Sequence, residues 1–150
     1  MNDSGHSAQI AALEERYSSA TITDFGDSEA LSRELLRLIR SGGKTATCAA
    51  LRDYEAQGEP LPEVGGVQIV LDFGGAPIFV LQTKWVDTVR FSDVTWEFVR
   101  DEGENDTLEG WRRDHADFFA RNGGFDESMW LVCERFCMLE DLASDTNTEA

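Results

Sequence analysis

The chain is poor in the residues that most simply announce a function. Its 150 residues hold three cysteines and two histidines. Three is an odd number, and no secretory signal precedes Cys48, Cys133 and Cys137. They are expected to be reduced, mostly buried thiols rather than a disulfide framework. Cys133 and Cys137, with only His6 and His115 as possible companions, lack the tight repeated spacing of a zinc module, so no metal site is expected. No apolar run approaches the roughly 18 residues of a membrane helix. Met1-Asn2-Asp3-Ser4-Gly5 has neither the basic residues nor the apolar core of a signal peptide. The expectation is a cytoplasmic protein with no membrane partner. Positive charge is scarce too: 13 basic residues face 29 acidic ones, for a net charge of -16. Affinity for duplex nucleic acid comes from cations that displace counterions, so this field disfavours duplex DNA and points to a small ligand or a local basic patch.

What is present suits a globular protein. Hydrophobic residues make up 41% of the chain, including four Trp and nine Phe. One domain of this length buries a full core. A helix is expected over Ser7–Ser19, with Ile10, Leu13 and Tyr17 on one stripe. A second is expected from Asp27 or Ser28 to Ser41. Leu31, Leu35, Leu38 and Ile39 form its apolar face, and Gly42-Gly43 its stop. Strand is expected over Thr45–Leu51, then a polar connection around Gly58–Pro62. Val67, Ile69, Leu71 and Phe73 alternate as a half-buried strand does, and Gly74-Gly75 reads as a hairpin turn into a strand from Ile78 to Val89. A short helix is expected over Phe91–Asp101, starting at Ser92 or Asp93. Another opens at Asp106 or Thr107, with Leu108, Trp111, His115, Phe118 and Phe119 on one face. Met129–Leu139 reads as the last strand, and the tail from Ala143 as disordered. Such an order gives an α+β domain built on a small curved sheet.

Three segments carry candidate chemistry. The first is Gly42-Gly43-Lys44-Thr45-Ala46-Thr47. A lysine three residues before a threonine, where helix gives way to strand, can bring an amine and a hydroxyl into one pocket, where a neutral amine activates the alcohol. The competing reading is a helix-capping Lys44 and ordinary strand threonines. The segment is no phosphate-binding P-loop, since Leu38 stands where the first glycine belongs and a helix, not a strand, precedes it. The second is Asp101-Glu102-Gly103-Glu104-Asn105-Asp106, either a solvated loop or the source of a carboxylate turned toward Lys44. The third is Trp111-Arg112-Arg113 with His115. Trp111 and His115 fit a core stripe, and Arg112 and Arg113 can meet a phosphate or a base.

Together these residues resemble the ASCH domain family, of PUA-like β-barrel fold. The resemblance spans Phe25 to Leu139. It rests on Gly42–Thr47 after a helix, Leu61-Pro62-Glu63-Val64-Gly65 before the Val67–Asp72 strand, and Val94-Thr95 through Glu102-Gly103-Glu104. Trp111–His115 with Phe118-Phe119, and Leu131–Phe136, complete it. It implies an N-terminal helical extension over 1–24, the domain over 25–140 and a tail over 141–150. It also implies a cleft for a nucleoside or single-stranded RNA. Small bacterial members remove the acetyl group from N4-acetylcytidine with a Lys, a Thr three positions on and a Glu beyond the central strands. By position these are Lys44, Thr47 and Glu102, with Gly43 and Thr45 offering backbone N–H groups to an oxyanion. No cofactor is implied for that reaction. Their Arg two residues after the Thr is Ala49 here, so Arg52 or Arg112 is expected to anchor substrate. Two alternatives remain open. One is a ribonuclease with a divalent metal held by Glu102 or Glu104. The other is a non-catalytic module that stacks bases on Trp111.

Overall fold

The computed structural model describes residues 2–142. Helix α1 spans Asn2–Arg16, and strand β1, Thr21–Thr23, follows. Helix α2 is Glu29–Ser41, strand β2 Ala46–Ala50 and helix α3 Leu51–Gln57. Strands β3 (Val67–Leu71) and β4 (Pro77–Arg90) form the hairpin, then helices α4 (Trp96–Glu102) and α5 (Leu108–Arg121) lead into strand β5, Trp130–Asp141. The five strands lie in the order β1-β3-β4-β5-β2. β1 runs parallel to β3 and the other pairs are antiparallel. Register shifts in β4 between Val80 and Leu81 and between Thr83 and Trp85 mark bulges. Bulges bend and over-twist a long strand, and this sheet curls into an α+β half-barrel.

The helix ends follow local chemistry. Ser28 caps α2 by accepting from the Leu31 N–H, and Gly42, at φ 85°, closes it in the left-handed conformation. Leu35, Leu36 and Ile39 are the buried face of α2, so Leu36 replaces the expected Leu38. α4 is capped by Thr95 rather than by Ser92 or Asp93, which belong to a separate 3₁₀ turn over Phe91–Asp93. Thr107 caps α5 through the Gly110 N–H, as expected. In the hairpin, Asp72 Oδ1 accepts from the Gly74 and Ala76 N–H groups.

Two elements depart from expectation. β1 is three residues long, too short to show an alternation, and exists because β3 offers it a parallel edge. α3 begins at Leu51, where strand or loop was expected. Its residues are helix formers, and Gly58 at φ 67° stops it. β5 continues to Asp141, paired with Phe79. The tail expected from Ala143 lies outside the described residues.

Two main clusters form the core. Ala46, Ala50, Phe91, Val99, Trp111, Phe119 and Leu131 pack beneath α4 and α5. Phe25, Leu35, Leu36, Ile39, Phe79, Leu81 and Phe136 pack beneath α2. A third, smaller group joins Leu13 of α1 to Ile69 and Val80. Between them the curl of the sheet leaves a cleft.

Candidate functional site

The cleft has a volume of about 1300 Å³ and is lined from α2, β2, α3, the segment around Pro60–Glu63, the central strands and α5. Thr47, Gln68, Thr83 and Glu134 contribute to its wall from four strands, and Glu104 and His115 from the loop before α5 and from α5 itself.

Glu134, on β5, is a buried carboxylate, 5% exposed. Its Oε1 accepts from Gln68 Nε2 at 2.7 Å and from Thr83 Oγ1 at 3.1 Å, and Gln68 Nε2 also reaches Thr83 Oγ1 at 3.0 Å. Burial raises its pKa above the ordinary carboxylate value, and the bonds from Gln68 and Thr83 offset this only in part. Thr47 is its partner across the β2–β5 ladder. Residues directly opposite in an antiparallel pair hold their Cβ atoms about 4.5–5.5 Å apart. A hydroxyl and a carboxyl that holds its proton to higher pH than usual thus stand side by side in the cleft wall. Sequence reading missed Glu134; the one signal available was a lone acidic residue in Trp130–Met138, whose neighbours are mostly apolar.

Lys44 lies behind the wall and is 1% exposed. Its Nζ donates to the Ala46 carbonyl at 2.7 Å and to Glu104 Oε2 at 2.6 Å. The carboxylate that meets the lysine is therefore Glu104, and the expectation of Glu102 is corrected. The cause is the end of α4. Gly103 adopts φ 75° and turns the chain there. A Cβ on Gly103 would lie 2.0 Å from the Gly43 carbonyl oxygen, so only glycine allows the two segments to touch and Glu104 to reach back. Glu102 points elsewhere. It is 1% exposed, and its Oε1 accepts from Trp111 Nε1 at 2.6 Å. His115 Nε2 stands 3.5 Å from Glu102 Oε1 and 3.9 Å from Glu104 Oε1. Lys44 and Glu102 thus belong to one polar cluster, Lys44–Glu104–His115–Glu102–Trp111, of which Glu104 and His115 reach the cleft.

Four further expectations are corrected. Trp111 is fully buried, stacked between Phe91 and His115 at centroid distances of 5.2 and 4.3 Å, so it offers no face to a base. The N–H groups of Gly43 and Lys44 both bond to the Leu38 carbonyl and that of Thr45 to the Asp101 carbonyl, which leaves none of the three for an oxyanion. Arg52 is held by the carbonyls of Asn122 and Gly124 and is absent from the cleft wall. Arg112 lies by a separate small depression with Ser92 and Phe125. Trp111 and the Gly43 and Thr45 N–H groups are unavailable because packing or backbone pairing has already used what they offer, whereas the two arginines stand outside the cleft wall.

Among the described residues, Cys48, Glu102 and His115 form the group whose ligand atoms could hold a metal ion. Burial, and next the Glu102 charge, push the Cys48 thiol well above its ordinary pKa. Cys133, buried beside it on β5, is pushed up to about 12, chiefly by burial. No helix among the described residues is long and apolar enough to cross a membrane.

Comparisons with known proteins agree with this fold. The model of the ASCH domain matches residues 21–140. An ASCH domain from Lactobacillus crispatus JV V101 is 32% identical, with a TM-score of 0.74 over 85% of this chain and 84% of that one. A protein from Enterococcus faecalis V583 is 28% identical, with a TM-score of 0.80 over 95% of this chain and 92% of its own. No curated protein matches. The chain belongs to the ASCH domain family.

Proposed function

We propose that this ASCH domain protein binds a modified nucleoside in its cleft and hydrolyses an acyl amide on the base, N4-acetylcytidine being the type of substrate. The observation that carries the reading is the pairing of Thr47 with Glu134 in the wall of a large cleft. The charge of that cleft favours a neutral ligand over a polyanion. Asp24, Asp53, Glu63, Glu104 and Glu134 are among its acidic lining residues, whereas its one guanidinium, Arg121, is already paired with Asp27.

In the proposed reaction the Thr47 hydroxyl attacks the acyl carbon as Glu134 takes its proton. A carboxylate whose pKa is raised is the stronger base for that task. The C–N bond then breaks, the base amine leaves with a proton that Glu104 takes from the Lys44 ammonium and passes on, and an acyl ester remains on Thr47. Water hydrolyses the ester, its proton returning through Glu104 to Lys44 while Glu134 gives its proton back to the Thr47 oxygen, and the carboxylic acid and the free hydroxyl are released. Lys44 holds Glu104 in place from behind. This changes the roles that the resemblance implies: Thr47 stays the nucleophile, while Glu104 replaces Glu102. With all three cysteines free, a reducing cytoplasmic setting is proposed.

The test is release of acetate from N4-acetylcytidine by the purified protein. Thr47→Ala and Glu134→Gln are each expected to slow turnover at least about a hundredfold with the fold retained. Full activity in Thr47→Ala removes the covalent route, and binding of the nucleoside with no acetate release leaves a binding module. Single-stranded RNA cleavage is the second reading; the volume of the cleft, beyond the roughly 300–1,000 Å³ of a small-molecule pocket, has room for more than one nucleoside unit.

A further inference from the structure

Three side chains from three elements bring metal-binding atoms together at the cleft wall, which Cys48 and His115 line. Cys48 comes from β2, Glu102 from the last turn of α4 and His115 from the middle of α5, and their ligand atoms all lie within 4.8 Å of one another. Around a tetrahedral ion with bonds of about 2.0–2.3 Å, neighbouring ligand atoms stand roughly 3.3–3.8 Å apart. Closing the group onto an ion therefore needs side-chain shifts on the order of 1 Å.

Two observations say that something is missing between them. Glu102 is 1% exposed, and its Oε2 has only the weak Cys48 thiol to meet it, although Trp111 serves Oε1. A buried carboxylate oxygen without a strong donor is costly. His115 supplies the second. Its Nδ1 lies 3.0 Å from the Trp111 carbonyl, which can only accept, so Nδ1 carries a proton. In the neutral ring Nε2 then turns its lone pair toward Glu102 and Glu104. A lone pair facing two carboxylates calls for a cation. A proton on Nε2 would answer Oε1 of Glu102 but leave Oε2 to the weak Cys48 thiol. A divalent ion answers both.

We propose that Cys48, Glu102 and His115 form a site for a zinc-type transition-metal ion. The donor set of one sulfur, one nitrogen and one oxygen suits Zn²⁺ and excludes the all-oxygen preference of Mg²⁺ and Ca²⁺. The charge balances: thiolate and carboxylate together cancel the two positive charges, so the filled site is neutral in a buried setting where the empty one strands a carboxylate. On binding, the Cys48 S–H bond breaks, sulfur keeps the electron pair as it bonds the metal, and the proton goes to solvent. The Nδ1–H bond to a carbonyl is the contact that orients a metal-bound histidine. Three protein donors leave the fourth position for water or for Glu104. The site stands on these residues whether or not the hydrolytic reading holds.

Sequence spacing hid it, because the ligands lie 48, 102 and 115 in the chain and no two are close enough to form a motif. The experiment is titration of chelator-treated full-length protein with Co²⁺, then displacement by Zn²⁺. One Co²⁺ per chain is expected, with a thiolate-to-cobalt charge-transfer band, release of a proton on binding, and a higher Tm with Zn²⁺. Cys48→Ala should abolish the band, His115→Gln should weaken binding at least about tenfold, and Cys137→Ala should change neither. Circular dichroism confirms that each variant is folded; His115→Gln decides the matter if Cys48→Ala is not. The absence of saturable one-to-one binding overturns the proposal. So does a band that survives Cys48→Ala or is lost in Cys137→Ala, which marks adventitious binding at another thiol.

Discussion

Glu134 ties stability to pH in a way that tests its placement. Burial raises its folded-state pKa above the unfolded value. The folded state therefore holds the proton more tightly, and the favourable contribution is complete below the unfolded pKa and lost as pH rises through the folded one. Glu134→Gln keeps an oxygen for Gln68 and Thr83 without the charge. Its stability relative to the parent should therefore improve from pH 4 to pH 7, measured by chemical denaturation at both. An unchanged difference would mean that the carboxyl is solvated. Sequence reading singled out Lys44 and Thr47 because their spacing at a helix end is local. The lysine bonds to Glu104 where Glu102 was expected, because the two differ by two residues and a single glycine turn decides which of them faces back. Trp111 shows the limit from the other side: its place on an apolar stripe allowed a stacking role, and its burial removed it.

Among the elements, the joint between the end of α2 and the end of α4 carries the polar cluster. Gly43 and Gly103 touch there, and the Thr45 N–H bonds to the Asp101 carbonyl at 2.8 Å. Gly103→Ala is expected to cost about 1–3 kcal/mol from the left-handed backbone alone, and more from the clash. It should also part Glu104 from Lys44. Thermal unfolding reads the first effect and loss of turnover the second; a variant as stable and active as the parent would show that the joint is slack. The Thr95 cap of α4 gives a milder comparison, since Thr95→Ala should cost about 1 kcal/mol and leave the Gly43–Gly103 contact in place. Helix α2, the β3–β4 hairpin and α5 were legible because caps, glycines and periodicity are written within each of them. β1 and α3 were not. A three-residue strand has no period, and α3 follows β2 with no breaking residue between them.

For the whole molecule, a net charge of -16 and an acidic cleft set the terms of binding. A neutral nucleoside should bind with an affinity almost independent of salt. Single-stranded RNA should bind weakly, and salt should leave that binding flat or strengthen it by screening repulsion. A steep loss of RNA affinity as salt rises, measured by fluorescence anisotropy, would reveal a basic track and favour the RNA reading instead. The sequence by itself determined the α+β class, most element boundaries, the family and the junction that holds Lys44 and Thr47, since these rest on periodicity, capping and motif order along the chain. The tertiary structure alone decided that Glu134 stands opposite Thr47, that Glu104 meets Lys44, and that Cys48, Glu102 and His115 converge. Strand register and the packing of α4 against the sheet bring those groups together across distances in sequence that no local pattern spans.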